Sequence, residues 1–446
     1  MITETKGSGV KWIGTVPADW TLLKMKHYSY MKGRIGWQGL TADEFIDEGP
    51  YLVTGTDFER GRVCWDRSYH ISEKRYNEAV PIQLKVGDLL VTKDGTIGKL
   101  AYIDELPGKA SLNSHLLVIR PVGGKYINRF LYWVLGSPVF QGYYELVSYG
   151  STMDSLSQEK IGEFEFYAPP IDEQRAIAAF LDAECAKIDS IIDDLEKQLE
   201  VLKKLKKSII TQAVIKGINT AVSMKDSGVE WIGQIPRHWS ISRLKYCCKV
   251  KTGPFGTQLS ADEYTDGGTP IINVKNIGYG TVNEDDLDRI PDSVKMRLSM
   301  HILRKGDIVF GRKGAVDKHA IIDSEHDGWV QGSDCIRIRV EREIESSFLN
   351  YFFESSGYGD YVVVNSVGST MASINSDILN NSVVVFPDMQ EQLNIVEYLN
   401  ERTKLVNSLI AGKEKQLVQI RNHRKALIYE YVTGKKRVME VASHAN

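Results

Sequence analysis

Two glycine-centred turns of this 446-residue chain carry basic residues that suit contact with a polyanion. The basic residues are Lys93 and Lys99 around one turn and Arg312, Lys313 and Lys318 around the other. Ammonium groups bind phosphates, and guanidinium groups bind both phosphates and the edges of bases. The pattern favours loops that grasp the backbone of a nucleic acid. A solvated hairpin with ordinary surface charges would show the same residues, so that alternative stays open.

Two polar segments, each following an apolar strand, provide a second set of candidates. The side chains suited to base or phosphate contact are Thr56, Arg60 and Arg62 in residues 54–62 and Asn273, Lys275 and Asn276 in residues 273–280. Asparagine pairs with adenine through two hydrogen bonds, and arginine or lysine pairs with guanine. An ordinary polar turn would have a similar composition, so both interpretations remain.

Two further features have polar groups that a nucleic acid would accept. The hydroxyls of Ser151, Thr152, Ser369 and Thr370 would either bond phosphates or cap a following helix. Residues 197–207 contain five lysines and one glutamate. This basic run would face the DNA backbone, a partner protein or solvent.

No catalytic constellation accompanies these candidates. Residues 95–100 lack the spacing of a phosphate-binding P-loop, and the diproline in residues 168–171 lacks the flanking residues of an amino-methyltransferase motif. The five cysteines form no CxxC pair, which predicts reduced thiols rather than a zinc site. The histidines without ligand spacing are His27, His70, His115, His301, His319 and His326. We therefore expect a chain that is not an enzyme and that binds no metal or cofactor of its own.

The overall charge is nearly balanced. The chain has 55 basic and 58 acidic residues, a net charge of −3, so a DNA-binding surface must be a local patch or be completed by a partner. No apolar run reaches the roughly 18 residues of a spanning helix. Residues 1–6 lack the apolar core of a signal peptide. These features predict a cytoplasmic protein without membrane contact.

The elements that must position the candidates occur twice. Residues 8–20 recur as residues 227–239, and the Gly-Asp pair at 87–88 recurs at 306–307. A unit this long indicates two copies of a domain rather than a solenoid, whose period is roughly 20–50 residues. In each copy, short apolar runs between glycine turns predict the strands of a mixed α/β globule, with shorter helices at residues 126–135 and 348–353.

A long helix follows each globule. From Glu173 to about Val214 there is no proline or glycine, and apolar residues alternate at spacings of four and three, as in a coiled coil. The seam consists of Ile188, Ile192, Leu195, Leu199, Leu202 and Ile209 in the first copy and Val406, Ile410, Leu417, Ile420 and Leu427 in the second. Gly217 and Gly434 lie where the helices should end. Each helix would be roughly 65 Å long.

One such helix cannot bury its seam alone, so the two helices are expected to pair with each other in antiparallel fashion. The predicted fold class is α+β, with two tandem mixed α/β domains separated by two long helices that form an antiparallel coiled coil with pseudo-two-fold symmetry. The expected domains are residues 1–168, 169–219, 220–386 and 387–446.

Several duplicated motifs together resemble the specificity subunits of type I restriction-modification systems, often called HsdS. They are SGVEWIGQIPRHW at 227–239, SRLKY at 242–246, RKGDIVFGRKG at 304–314, the GSTM segment at 368–371 and the P-x-x-x-E-Q helix opening at 387–392, with their first-copy counterparts. The resemblance covers essentially the whole chain. The copies differ at residues 34–49 against 253–268, which suggests two related ligands read at a set separation.

The resemblance implies that the globules are target recognition domains, each reading one half of a split, asymmetric site on double-stranded DNA. The helices would set the spacing between the half-sites. Two methyltransferase subunits would methylate adenine N6 with S-adenosylmethionine, and ATP-driven restriction subunits would cleave. Under this interpretation S-adenosylmethionine, ATP and Mg belong to the partner subunits, and the chain is non-catalytic.

The rival hypothesis is a coiled-coil scaffold that spaces two protein partners without touching DNA, and it predicts no salt-dependent DNA affinity. A stand-alone nuclease or methyltransferase is disfavoured by the missing catalytic groups. The tryptophans at the recurring segment are Trp12, Trp20, Trp231 and Trp239. Because they are identical in both copies, we expect them to pack rather than to read bases.

Overall fold

The computed structural model describes residues 4–10, 13–34, 40–148, 156–255, 258–366 and 373–438. It divides into unit 1, which comprises Met1–Leu195 and Gln416–Asn446, and unit 2, which comprises Glu196–Lys415. Each unit contains one globular head and a segment of each of two long helices. We call residues 4–168 head 1 and residues 220–387 head 2.

In its described residues, head 1 is built from short strands and five α-helices. Its strands are β1 Thr5–Gly7, β2 Thr15–Pro17, β3 Thr21–Lys24, β4 Ser29–Gly33, β5 Ile46–Val53, β6 Phe58–Glu59, β7 Arg62–Val63, β8 Tyr69–His70, β9 Leu89–Thr92, β10 Leu100–Tyr102, β11 Ala110–Leu112, β12 Leu116–Pro121 and β13 Glu165–Ala168. Its helices are α1 Met25–Tyr28, α2 Glu73–Asn77, α3 Asn128–Leu135, α4 Pro138–Ser148 and α5 Gln158–Glu163. The long helix α6, Ile171–Lys216, follows.

Head 2 repeats this order. Its strands are β14 Met224–Asp226, β15 Gln234–Pro236, β16 Ser240–Arg243, β17 Cys248–Thr252, β18 Thr269–Ile272, β19 Tyr279–Gly280, β20 Arg289–Ile290, β21 Ile308–Gly311, β22 His319–Ile321, β23 Val330–Gln331, β24 Cys335–Val340 and β25 Val383–Phe386. Its helices are α7 Leu244–Cys247, α8 Asp292–Arg297, α9 Ser346–Glu354, α10 Ser356–Asn365 and α11 Ser376–Asn381. The second long helix is α12, Met389–Val432.

The central sheets of the two heads share one register. In head 1 the order is β10-β9-β12-β4, and Val118 on β12 pairs with Leu90 on β9. In head 2 the order is β17-β24-β21-β22-β19, and Arg337 on β24 pairs with Val309 on β21. A second, three-stranded sheet accompanies each, with order β11-β5-β8 in head 1 and β20-β18-β23 in head 2. The predicted mixed α/β globules are confirmed.

In each unit the two long helices run antiparallel. In unit 1 the rings of Phe180 and Tyr431 lie 4.5 Å apart, and further along Asp189 accepts hydrogen bonds from Arg424 at 2.7 and 3.1 Å. In unit 2, Lys203 pairs with Glu414 at 3.6 Å. Pairing partners therefore move backward along α12 as α6 advances, as the sequence predicted. The seam residues are buried or half-buried, with Ile188, Leu195, Leu199 and Val406 buried.

The helix ends follow the sequence signals. Lys216 is the last residue of α6, and Gly217 has a φ of +76°, a conformation that glycine adopts without strain. At the start of α12, Asp388 Oδ1 accepts from the backbone N–H of Glu391 at 2.9 Å. The Glu391 carboxylate accepts from Trp239 Nε1 at 3.2 Å and contacts His238 Nε2 at 2.8 Å. The cap therefore ties the long helix to head 2.

Candidate nucleic-acid interface

The first candidate loop joins β9 to β10 in head 1. Thr92 shapes it from within: its hydroxyl donates to the Thr96 carbonyl at 2.5 Å and accepts from the Lys99 backbone N–H at 2.9 Å. Gly95 takes a φ of +68°, which lets the chain reverse. Lys99 is exposed and Lys93 is half-buried. This arrangement holds two ammonium groups on a loop whose backbone is fixed by a buried threonine.

The equivalent loop of head 2 joins β21 to β22 with different side chains. The Arg312 guanidinium lies over the half-exposed ring of Phe255, 5.1 Å from its centroid. Lys318 lies 5.7 Å from the ring centroid of exposed Tyr279, and Lys313 pairs with Asp334 at 3.1 Å. A guanidinium held over an aromatic face by a cation–π contact can still donate its N–H groups to an acceptor. The two heads thus carry different chemistry on one loop scaffold.

The four hydroxyl candidates, Ser151, Thr152, Ser369 and Thr370, lie outside the described residues. The residues that follow them are bonded to the loops. Leu156 N donates to the Lys93 carbonyl at 2.7 Å, and Ile374 N donates to the Arg312 carbonyl at 2.9 Å. In both heads, a described residue three positions after the Gly-Ser-Thr-Met segment is therefore hydrogen-bonded to the basic loop.

The polar segment of head 1 is organised around a buried carboxylate. Asp57 is 1% exposed and accepts from the backbone N–H of Thr54 at 2.7 Å and from the Ser68 hydroxyl at 3.1 Å. Thr56 is exposed, and its hydroxyl lies 2.7 Å from that of Thr54. Thr56 therefore stays accessible while Asp57 fixes the turn.

The matching segment of head 2 corrects one expectation. Asn276 occupies the position of Asp57 and is fully buried; its amide donates to the Asn283 and Asp285 carbonyls at 3.2 and 3.1 Å and accepts from Asn273 N at 3.1 Å. Its role is to hold the turn, so it is not available to a base edge. Sequence reasoning could not separate it from its neighbours, because asparagine suits both a turn and a base contact.

Asn273 and Lys275 are accessible but already partnered. Asn273 Nδ2 donates to Asp288 at 2.7 Å, and Lys275 pairs with Asp286 at 2.8 Å and with Asp288 at 3.2 Å. Hydrogen bonding to Asp286 is the largest cause of the raised pKa of Lys275. Contact with DNA would require Lys275 to exchange carboxylates for phosphates.

Arg60 and Arg62 flank a cleft between head 1 and α6. Arg60 has a φ of +50° and pairs with Asp193 of the helix at 2.7 Å, while Arg62 pairs with Asp104 at 3.0 Å. The Cβ position of Gly61 lies 2.1 Å from the Tyr132 hydroxyl, so a larger residue there would force the Tyr132 ring to move. The turn that was predicted to contact DNA is therefore joined to the long helix by the ion pair between Arg60 and Asp193.

A smaller cleft of about 420 Å³ occupies the same position in unit 2. Its wall includes Lys206, which pairs with Glu354 at 3.2 Å, and the buried His319. Burial lowers the pKa of His319, and its Nε2 lies 3.1 Å from the Asn350 carbonyl. Of the basic run, Lys203, Lys204 and Lys206 pair with glutamates. Much of the charge of this run is therefore balanced within unit 2.

The repeated Gly-Asp and Glu-Gln pairs, visible in the sequence only as recurring motifs, have structural roles. Asp88 and Asp307, of the repeated Gly-Asp pair, are almost fully buried, and each accepts two hydrogen bonds from an arginine on the neighbouring strand: Arg120 at 2.6 and 2.7 Å, and Arg339 at 2.6 Å for both. The sequence signal that could have revealed these pairs is that an acidic and a basic residue recur together, at the same offset, in the second copy. These ion pairs fix the strands that support the candidate loops.

The glutamine of the repeated Glu-Gln motif joins head to helix. Gln392 is fully buried, donates to the Glu343 and Pro387 carbonyls at 2.8 and 2.9 Å, and accepts from Glu345 N at 2.7 Å. Gln174 makes the same three bonds in unit 1. The glutamine of this motif therefore holds the start of each long helix against the head that precedes it.

The tryptophan prediction is confirmed for Trp20 and Trp239, each 1% exposed in a core. Trp231 packs against Phe352 and Tyr361, and Trp12 lies outside the described residues. Among the described residues there is no group of three His, Cys, Asp or Glu side chains that could hold a metal ion. No helix in that part of the chain is both long and apolar enough to cross a membrane.

Comparison with known proteins gives one consistent family. The model described as type I restriction modification DNA specificity domain matches residues 38–209 and again residues 236–419. The chain is 24% identical over 433 residues to the type I restriction enzyme MjaVIII specificity subunit of Methanocaldococcus jannaschii, covering 95% of this chain and 94% of that one. It is 22% identical over 438 residues to the EcoKI specificity subunit of Escherichia coli, covering 94% and 90%.

A solved structure supports the fold. It comes from work on complex assembly and conformational transition of the type I R-M system, and it aligns with a TM-score of 0.66 at 14% identity, covering 94% of this chain and 99% of that one. At that identity the likeness concerns the fold alone. Since the family model matches most of both copies of the duplicated unit, this chain belongs to the type I restriction-modification DNA specificity family.

Proposed function

We propose that the chain selects the DNA target of a type I restriction-modification enzyme, with each head reading one half of a split, asymmetric site. The observation that carries the proposal is one loop scaffold built twice with different side chains. Lys93 and Lys99 stand on it in head 1, whereas Arg312 stacked on Phe255 stands on it in head 2. Two related domains that read two different DNA sequences require the same supporting structure and different side chains at the loop tips.

The chain would act through partners rather than by chemistry of its own. Two methyltransferase subunits would use S-adenosylmethionine to methylate adenine N6, and restriction subunits would use ATP and Mg for cleavage. This division is supported by the specificity subunits to which the chain is similar. It would place the chain in the cytoplasm with the DNA it reads. The scaffold hypothesis is not favoured, because the family is one of DNA specificity.

Long-read methylome sequencing tests the proposal. The host would express this chain together with the methyltransferase encoded beside it, and a second culture would express the methyltransferase alone. We expect N6-methyladenine in both arms of one split motif, only when this chain is present. An unmethylated genome, with both proteins shown to be expressed and bound to each other, would contradict the proposal.

A further inference from the structure

Head 2 contains a polar cluster where head 1 has an apolar core. Val118, Leu112 and Ile82 of head 1 are at most 2% exposed and belong to one hydrophobic cluster. The equivalent residues of head 2 are Arg337, Gln331 and His301. Registers support the equivalence of the strand residues: Val118 pairs with Lys32 and Leu90, and Arg337 pairs with Lys251 and Val309. The three positions therefore differ together.

The cluster is buried and incompletely bonded. Arg337 and His301 are 6% and 7% exposed, and Gln331 is fully buried. Within the described residues, Arg337 Nε has no hydrogen-bond partner, and His301 Nδ1 and Gln331 Oε1 have none of good geometry, although the His301 and Gln331 side chains interact with each other. Buried polar atoms without partners are costly and call for a specific explanation. Two of these three atoms can donate a hydrogen bond.

Positive charge gathers here beside the Asp307 carboxylate. Lys251, on the edge strand β17, is the register partner of Arg337, and Arg339 lies two residues further along β24. The nearby carboxylate, Asp307, already accepts both of its arginine hydrogen bonds from Arg339. Burial and neighbouring cations lower the pKa values of Lys251, Arg337 and His301 alike. The pKa of Arg34, the buried guanidinium of head 1, is lowered by burial and by Arg75 and is raised by Glu44, which itself pairs with Arg75 at 2.7 Å.

Carbonyl groups orient the guanidinium but do not neutralise it. Arg337 Nη1 donates to the Ile302 carbonyl at 3.2 Å, and Gln331 Nε2 donates to the Lys251 carbonyl at 3.0 Å, so the cluster is a connected unit. A bound anion would supply both the missing acceptors and the missing negative charge. A phosphate group fits best, since its several oxygens can accept from a lysine and an arginine at once.

Four residues of chain connect the cluster to the candidate loop of head 2. From Lys251 the chain continues through Gly253, whose N–H donates to the Cys335 carbonyl at 2.8 Å, to Phe255 beneath Arg312. Four residues of extended chain span roughly 13 Å. We propose that Lys251, Arg337 and His301 form a phosphate-binding subsite of head 2 that head 1 lacks. As a subsite for a phosphate of the DNA backbone, it rests on the proposed function.

Inorganic phosphate is the first probe, and the full chain is the sample. Lys251→Met keeps the apolar stem of a half-buried side chain, and Lys32→Met changes the register-equivalent lysine of head 1 and is the matched control. Thermal unfolding is recorded in sodium phosphate and in sodium chloride at equal pH and ionic strength. Because phosphate stabilises proteins generally by exclusion from their surface, the readout is the difference between variants.

We expect phosphate to raise the Tm of the wild-type chain and of Lys32→Met by roughly 2–4 °C more than that of Lys251→Met. Equal increments in all three proteins would overturn the subsite. A second variant carries the head 1 residues, as His301→Ile, Gln331→Leu and Arg337→Val together. If it folds and still gains the full wild-type increment, the cluster is core structure and not a ligand site.

Duplex DNA bearing the methylated motif is the second probe, used with the assembled methyltransferase complex. If a backbone phosphate occupies the subsite, Lys251→Met should reduce the slope of log affinity against log salt by about one. A phosphate effect on stability with an unchanged salt slope would retain the subsite and assign it to a free phosphate ion. Failure of the wild-type complex to bind DNA would refute the proposed function, while the stability measurement would still decide the subsite.

Discussion

Removing Arg339 should destabilise head 2 more than any exposed substitution, because it isolates a buried carboxylate. Asp307 is 1% exposed and accepts two hydrogen bonds from Arg339 at 2.6 Å and one from the Arg304 backbone N–H at 2.8 Å. In Arg339→Met only the backbone donor remains. Breaking a buried pair by removing one partner costs about 3–5 kcal/mol. Asp307→Asn should cost less, about 1–3 kcal/mol, because the amide oxygen can still accept from Arg304 N and Arg339 is partly hydrated.

The double variant decides whether isolation of the charge is the cause. Arg339→Met combined with Asp307→Asn leaves no buried charge, so its destabilisation should be smaller than the sum of the single effects by about 1–3 kcal/mol. Hydrogen exchange of the full chain, read by mass spectrometry on peptides of β21 and β24, gives the local free energy. The matched control, Arg120→Met, should act on β9 and β12 instead. Additive single effects, or a loss below about 1 kcal/mol for Arg339→Met, would refute the argument.

Three further outcomes follow from other contacts. Gln392→Leu leaves three buried backbone groups without their hydrogen-bond partner, so it should lower the free energy of unfolding, measured in urea, by about 3 kcal/mol. Its control, Gln390→Leu at an exposed position, should change that free energy by under about 0.5 kcal/mol. Arg312→Met should lose about 1–3 kcal/mol of discrimination in one arm of the methylated motif only, and relaxation of both arms in a methylome would contradict one head per half-site. Iodoacetamide should label half-exposed Cys64 well before buried Cys335, whose pKa is raised by burial, and mass spectrometry would detect the opposite order.

The architecture followed from the sequence because its signals are periodic or repeated. The stretch without proline or glycine, from Glu173 to about Val214, predicted α6 to within two residues at each end, and the apolar spacing within it indicated a single helical period. Strands such as β9 and β21 were visible as apolar runs bounded by glycine. The small strands β6 and β19 left no such signal, because two residues show no period. Long elements are therefore readable from sequence, and short ones depend on their neighbours.

The candidate site was only partly readable, because contact residues and turn-forming residues share the same types. Asn276 is a residue type suited to base contact, but its side chain is buried and its hydrogen bonds hold its own turn in place. Arg60 had the charge for a phosphate contact, but its partner is Asp193, which lies 133 positions away in the chain. Sequence spacing cannot show such a contact. The stacking of Arg312 on Phe255 was hidden for the same reason.

Internal duplication supplies what an alignment would otherwise provide: two solutions to one structural problem in one chain. Where the heads agree, as at the buried pairs Asp88–Arg120 and Asp307–Arg339, the residues hold strands in place. Where they differ at exposed loop tips, the simplest cause is a difference in the ligand. The cluster around Arg337 fits neither class, because it is buried like a structural residue and yet differs between the heads. Arg337 Nη1 bonds the Met300 and Ile302 carbonyls, a structural contact that Val118 cannot make in head 1, but these bonds leave Arg337 Nε without a partner among the described residues. The ligand proposed for head 2 would explain both the burial of the unpartnered Arg337 Nε and the difference between the heads.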